Sequence, residues 1–319
     1  MELVENMLSG NQRALSRLIS MAERESSELP EIMKTVYPHL GKAVSVGITG
    51  PPGAGKSTLV DKLTTVIRSL DLSVGVIAVD PTSPFTGGAV LGDRIRMQQH
   101  YLDPQVFIRS MASRGSRGGL PYTARNVIKL LDAFGKDVIL VETVGVGQTE
   151  LDIMAAVDTT VVALVPEAGD TIQTMKAGLM EIADIFVVNK ADRPGSDKLM
   201  VELEAMLHLN PIQEEWNRPV LATQALNDTG IKELYEAITN HQNFLQSSGQ
   251  LIRKRQEQRR EEFIRTVEQR LRNRLARLMQ KSERLMTLWR EVEVGKIDPY
   301  SALELMEQEA VSRGWLPEP

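Results

Sequence analysis

Residues Gly50-Pro51-Pro52-Gly53-Ala54-Gly55-Lys56-Ser57 fit the pattern G-x-x-x-x-G-K-[ST], with Thr58 directly after it. Glycines at this spacing let successive backbone N–H groups curl around phosphate oxygens with no Cβ in the way. The pattern lies between the β-branched run Val44-Ser45-Val46-Gly47-Ile48-Thr49 and a helical one, so a helix N-terminus adds its dipole to the cradle. In that setting the Lys56 ammonium reaches β- and γ-phosphates, and the Ser57 hydroxyl ligates Mg²⁺. The loop specifies a nucleoside triphosphate without naming its base.

A second pattern reads the base. Asn189-Lys190-Ala191-Asp192 closes the apolar run Ile185–Val188. N-K-x-D selects guanine, because the Asp192 carboxylate accepts from both N1–H and the 2-amino group. Adenine offers no such pair of donors, and a buried carboxylate left unpaired is costly. Asn189 can tie its loop to the phosphate loop, and the Lys190 stem can lie along the base. Thr223-Gln224-Ala225-Leu226 follows another strand, where a backbone N–H, that of Ala225 by position, is expected to meet the guanine carbonyl.

The remaining chemistry is acidic. The run Val138–Val141 ends in Glu142-Thr143-Val144-Gly145. An acid at this place meets Mg²⁺ directly or through water, and the Gly145 N–H can face a γ-phosphate. From Asp80 to Asp93 the chain is rich in Pro and Gly and reads as a loop that can move. Asp80 and Asp93 are hard oxygen ligands of the kind Mg²⁺ accepts, although Asp80 equally suits a turn cap and Asp93 a helix N-cap. Lys56, Asp93 and Glu142 are thus the candidate catalytic residues. Gln148 does not immediately follow Gly145 and is not assigned as the residue that orients water. Arg94, Arg96, Arg114 and Arg117 are candidate charge stabilisers that spacing alone does not separate.

The elements that must position these groups are strands alternating with helices. Beyond Val44–Thr49, strands are expected at 74–79, 106–108, 138–141, 160–165, 185–188 and 220–222. Helices are expected at 56–70, 122–134, 149–156, 171–182, 197–208 and 230–240. Near-continuous apolar strands indicate a parallel sheet covered on both faces, hence a doubly wound α/β domain. Residues 1–40 read as helical, with Gly10-Asn11 opening one helix and Pro30 another. After Gln246-Ser247-Ser248-Gly249, a hinge by composition, Ile264, Val267, Leu271, Leu275, Leu278, Leu285 and Trp289 recur as on one long amphipathic helix. Gly295 to Pro299 ends it, and a shorter helix follows. The boundaries drawn are 1–42, 43–245 and 246–319.

Composition bounds the function. The 319 residues contain no cysteine, which excludes disulfides, thiolate metal sites and a cysteine nucleophile. His39, His100, His208 and His241 are scattered without ligand spacing. No apolar stretch spans a membrane and no secretory signal is visible, so the expected compartment is the cytoplasm. The net charge of −5 gives no chain-wide attraction to nucleic acid, but residues 251–290 hold 13 Lys/Arg against 5 Asp/Glu.

Gly50–Ser57, Asp80-Pro81 with Thr86-Gly87-Gly88-Ala89-Val90-Leu91-Gly92-Asp93, Glu142-Thr143-Val144-Gly145-Val146-Gly147-Gln148 and Asn189–Asp192 together closely resemble the MeaB/ArgK family of P-loop GTPases, of the SIMIBI class. The resemblance covers nearly the whole chain. It implies a slow GTPase that uses GTP, GDP and Mg²⁺ and serves as chaperone to an adenosylcobalamin-dependent acyl-CoA mutase, above all methylmalonyl-CoA mutase. It implies gating of cofactor loading, protection and reactivation. Ser57, Asp80, Asp93 and Glu142 would form the magnesium shell in different nucleotide states. The resemblance further implies a third switch at Pro166–Lys176, where Asp170, Gln173 and Lys176 relay nucleotide state to the mutase. It also implies a homodimer through the C-terminal helices; from charge and composition, no nucleic-acid or membrane partner is expected.

Two other readings compete. A nickel-maturation type of metal-insertion GTPase needs Cys or His ligands that this chain lacks at the expected places. A nucleotide-switched protein could instead bind nucleic acid or membrane through its basic helix, but that helix has few aromatics for stacking bases, and a solvated basic face on an interaction helix is the plainer account.

Overall fold

Seven short apolar runs form seven strands: β1 (Val44–Thr49), β2 (Val74–Asp80), β3 (Val106–Ala112), β4 (Val138–Glu142), β5 (Thr159–Leu164), β6 (Ile185–Asn189) and β7 (Val220–Thr223). In the computed structural model, which describes residues 2–80, 97–112, 122–143, 155–166, 181–209 and 215–312, they pair in parallel in the order β3-β2-β4-β1-β5-β6-β7. Strand β3 runs four residues beyond the expected Ile108. Its polar tail stays in the sheet because Arg109 is bound by Glu23 and Ser20, and its backbone pairs with Ile77 to Asp80.

The helices are α1 (Glu2–Leu8), α2 (Gln12–Glu23), α3 (Leu29–Val36), α4 (Lys56–Ser69), α5 (Tyr122–Ala133), α6 (Ser196–Leu209), α7 (Ile231–Ser247), α8 (Gln250–Lys281), α9 (Glu283–Glu293) and α10 (Pro299–Ser312). The helices expected at 149–156 and 171–182 fall largely outside the described residues. No helix among the described residues is long and apolar enough to cross a membrane.

Alternation along the central strands divides the core in two. Val74, Val76, Val138 and Leu140 share one cluster with Leu59, Leu63 and Ile67 of α4 and Leu234 of α7. Ile77, Val79, Ile139 and Val141 face the opposite side, where Leu130 and Leu131 of α5 meet Val4, Met7, Leu15, Leu18 and Ile19 of α1 and α2. The N-terminal helices therefore share the core of the sheet domain. Asn11 starts α2 by accepting from the Arg13 and Ala14 amides.

The chain divides into two compact units, residues 1–255 and 256–319. The first unit includes the root of α8 for a physical reason. Arg255 places Nε and Nη2 on the Asp158 carboxylate, both at 2.9 Å, and reaches the carbonyls of Gly41 and Ala43. Lys254 donates to the Asp158 carbonyl at 2.7 Å. These residues lie at the amino edge of β1 and β5.

The expected single helix through Trp289 is in fact broken. Ser282 is extended (φ −110°, ψ 113°), its Oγ accepts from the Leu285 amide, and α9 starts there. Leu278 and Leu285 are two helical turns apart, so the apolar period runs across the break and conceals it.

Candidate functional site

All seven strands are parallel, so their carboxyl ends share one edge. The chain leaves β1 toward β2 on one side, whereas β4 connects to β5 across β1. The crevice at such a reversal is where open α/β sheets bind ligands. Gly50, Glu142 and Asn189 stand at this edge, at the ends of β1, β4 and β6.

The Gly50–Ser57 loop is closed to side chains at two points. Gly50 has φ +137°, and a Cβ there would lie 2.0 Å from the Ala163 carbonyl oxygen. Gly55 has φ +83°, and a Cβ would lie 2.3 Å from Asn189 Nδ2. Gly55 is also the N-cap of α4, which has no side-chain cap, so the first amides of a 14-residue helix open onto the loop. The buried Lys56 ammonium donates to the carbonyls of Gly50 (2.9 Å) and Pro51 (3.0 Å). Ser57 Oγ donates to Glu142 Oε1 at 2.7 Å, and both residues are buried. A hydroxyl and a carboxylate brought together in this way are hard oxygen donors, a set that suits a small divalent cation such as Mg²⁺.

Asn189 is the hub of the edge. It is 2 % exposed; its Nδ2 donates to the Ala54 carbonyl at 2.8 Å, and its Oδ1 accepts from Thr223 Oγ1 (3.0 Å) and the Ala225 amide (3.2 Å). One side chain thereby fastens the loop after β1 to the turn after β7. The Ala225 N–H, expected to face a guanine carbonyl, is turned onto Asn189 instead, since a buried amide oxygen must be satisfied. Lys190 follows with φ +57°, which turns the chain sharply. The Ala191 amide then donates to the Thr223 carbonyl at 3.0 Å and holds that turn against β7. Asp192 is exposed beside it and Lys190 is half-buried. The side chain of Gln224 is engaged within its own turn by Asn227, and Leu226 is exposed.

Of the expected site residues, the structure brings together Gly50 to Thr58, Glu142, Asn189, Lys190, Asp192 and Gln224 to Leu226. The backbone of Asp80 ends β2 at the same edge. Asp93, Gly145, Asp170, Gln173 and Lys176 lie outside the described residues, as do Gln148, Arg94, Arg96, Arg114 and Arg117. Sequence reasoning missed Thr223 as the partner of Asn189. Its signal was available, since a hydroxyl residue closes a strand one position before Gln224.

The sequence and the fold match those of known proteins. Residues 15–280 match the family model described as methylmalonyl Co-A mutase-associated GTPase MeaB. A protein of Pyrococcus abyssi named only as a GTPase is 50 % identical over 316 residues, covering 98 % of this chain and 97 % of that one. GTPase ArgK of Escherichia coli is 36 % identical over 282 residues, covering 86 % and 85 % of the two chains. The crystal structure of a LAO/AO transport system kinase superposes with a TM-score of 0.72 at 28 % identity, covering 96 % of each chain. A seven-stranded parallel sheet with the G-x-x-x-x-G-K-S and N-K-x-D sequences at its carboxyl edge, matched over most of the chain's length, places the chain in the MeaB family of GTPases.

Proposed function

We propose that this GTPase binds GTP and Mg²⁺ at the carboxyl edge of the sheet, and that its nucleotide state gates cofactor loading, protection and reactivation of an adenosylcobalamin-dependent acyl-CoA mutase. Methylmalonyl-CoA mutase is the first candidate, on the description of the matching family. The observation that carries the nucleotide half is the Asn189 bridge, which fixes the guanine-reading turn at one distance from the phosphate cradle.

The chain's residues divide the work. The amides from Gly53 to Thr58, with the uncapped start of α4, receive phosphate oxygens. Lys56 exchanges its two loop carbonyls for the β- and γ-phosphates and so moves no charge into an empty site. Asp192 pairs with N1–H and the 2-amino group of guanine, while the Lys190 stem covers one face of the base. Gln224 to Leu226 close the other side. Ser57 and Glu142 would hold Mg²⁺, with Asp80 and Asp93 as further oxygen donors. When bound, the cation supplies neutralisation of charge on the β- and γ-phosphates. Gly145 offers its N–H to the γ-phosphate, and Asp170, Gln173 and Lys176 report its loss to the mutase. Phe263, Ile264, Val267, Leu271 and Leu275 are exposed along α8, and these apolar side chains at helical spacing support a homodimer through the C-terminal helices.

The test is GTP hydrolysis with and without purified candidate mutases, with Lys56→Ala as the inactive control. Acceleration by one mutase names the partner. Equal rates with every mutase, in a protein that binds GTP normally, reject the chaperone half alone.

A further inference from the structure

Beside the Ser57–Glu142 contact, which joins the start of α4 to the end of β4, lies a second bridge, between the ends of β1 and β4. Thr49 is the last residue of β1 and Thr143 the first after β4. Their hydroxyls meet at 2.8 Å, at 0 % and 1 % exposure, and the Thr143 amide donates to the Ile48 carbonyl at 3.1 Å. Thr49 leads directly into Gly50, which is pressed against Ala163 of β5 on the other flank. The root of the phosphate loop is therefore wedged between β5, by backbone contact, and the end of β4, by the hydroxyl pair and the Thr143 amide. Thr143 leads into Val144-Gly145, and Glu142 precedes it.

We infer that the Thr49–Thr143 hydroxyl pair is a positioning element for GTP hydrolysis. It holds the end of β4, which carries Glu142, in register with the phosphate loop, and neither hydroxyl touches the nucleotide. This rests on the nucleotide site proposed above. The pair acts where the γ-phosphate is handled, so it bears on the hydrolysis step and much less on GDP, which the loop and the base-reading turn hold between them. Burial makes the contact directional: each hydroxyl has the other as its fixed partner, and a methyl group of the same shape fills the space without setting a direction.

The experiment compares Thr143→Val, Thr143→Ser and the double variant Thr49→Val/Thr143→Val, in the full chain. Single-turnover GTP hydrolysis, GDP affinity and thermal unfolding are measured for each. Thr143→Val strands the Thr49 hydroxyl and lowers both Tm and the hydrolysis rate, the latter about tenfold. The double variant removes both partners and regains most of the Tm, but its rate stays about tenfold down. Thr143→Ser keeps a hydroxyl and stays within about twofold of the parent rate. GDP affinity shifts less than about threefold in all three. A double variant that recovers rate together with Tm shows a purely structural role and overturns the inference. So does a Thr143→Ser rate as low as that of Thr143→Val, or an unchanged Thr143→Val rate. If Thr143→Val fails to fold, the other two variants decide. Failure of the parent protein to bind GDP or GTP would instead overturn the underlying site, and is read separately.

Discussion

Asn189→Ala tests whether one amide joins the two halves of the proposed nucleotide site. The substitution removes three hydrogen bonds at once and strands three buried groups: the Ala54 carbonyl, the Thr223 hydroxyl and the Ala225 amide. A hydrogen bond contributes about 1 kcal/mol net, and a group left unsatisfied costs about 1–3 kcal/mol. Water entering the small gap offsets part of this, so the expected loss is about 3–5 kcal/mol, or a Tm lower by about 6–15 °C for a unit of this size. Asn189→Asp sharpens the test. Its carboxylate still accepts from Thr223 and Ala225, but it puts an oxygen where Nδ2 now lies 2.8 Å from the Ala54 carbonyl oxygen. Burial and that carbonyl raise the carboxyl pKa in the folded state above its unfolded value of about 3.9. The protonated acid can donate to Ala54. Stability relative to Asn189→Ala is thus fully present below the unfolded pKa and is lost as pH rises through the folded one. Urea unfolding of both variants between pH 5 and 8, alongside GDP affinity, gives the answer. A cost below about 1 kcal/mol for Asn189→Ala, or a pH-independent gap between the two variants, would refute the hub.

Three other perturbations address separate parts of the fold. Gly50→Ala puts a Cβ 2.0 Å from backbone and should cost at least tenfold in GTP affinity, whereas Gly53→Ala, with nothing within 4 Å, meets only the strain of φ +79°, about 1 kcal/mol. Comparable losses in GTP titrations of the two variants would contradict the close approach at Ala163. Arg255→Met leaves the Asp158 carboxylate, 3 % exposed, without its guanidinium, and should destabilise the chain by about 3–5 kcal/mol in urea unfolding, with little salt dependence. Burial pushes the Lys136 ammonium down to about 8, although it donates to the Gln105 carbonyl at 2.7 Å. Its folded pKa lies below its unfolded value near 10.5, so the unfolded chain binds more protons between those limits and stability rises with pH across that window. The parent should gain on the order of 2–3 kcal/mol over Lys136→Met between pH 7.5 and 10.5. A constant difference between the two unfolding curves over that range would show that Lys136 titrates normally.

The strands and the loops after them were legible because each carries a local signal. Val44–Thr49 and Ile185–Asn189 are apolar, short and followed by residues whose types have few other uses. Gly50–Ser57 and Asn189–Asp192 are contiguous motifs, so a parallel sheet had only to bring them to one edge. The pairings across the fold were not legible. Thr49 and Thr143 are 94 residues apart, and Asp158 and Arg255 are 97 apart; a threonine at a strand end, or an arginine in a basic run, has many possible partners. The break at Ser282 stayed hidden because periodicity records which side a residue faces and not whether the backbone between is continuous.

The basic run from 251 to 290 shows how such a pairing alters a sequence argument. Read by charge alone, all 13 of its Lys/Arg belong to one surface. Arg255 is in fact spent on Asp158, Gly41 and Ala43, and Lys254 on Asp158 and Asp184. These contacts clamp the starts of β1, β5 and β6, and β1 and β6 end at the Gly50–Ser57 loop and the Asn189–Asp192 turn. Guanidinium and ammonium groups held at the amino edge of a sheet satisfy carboxylates and carbonyls there and add nothing to a partner-facing field. Apart from the exposed Arg253, the positive excess that remains lies beyond Arg255, in the unit that also exposes Phe263, Ile264 and Leu271. A surface that mixes exposed arginines with apolar side chains at helical spacing matches the composition of protein interfaces better than that of a nucleic-acid groove.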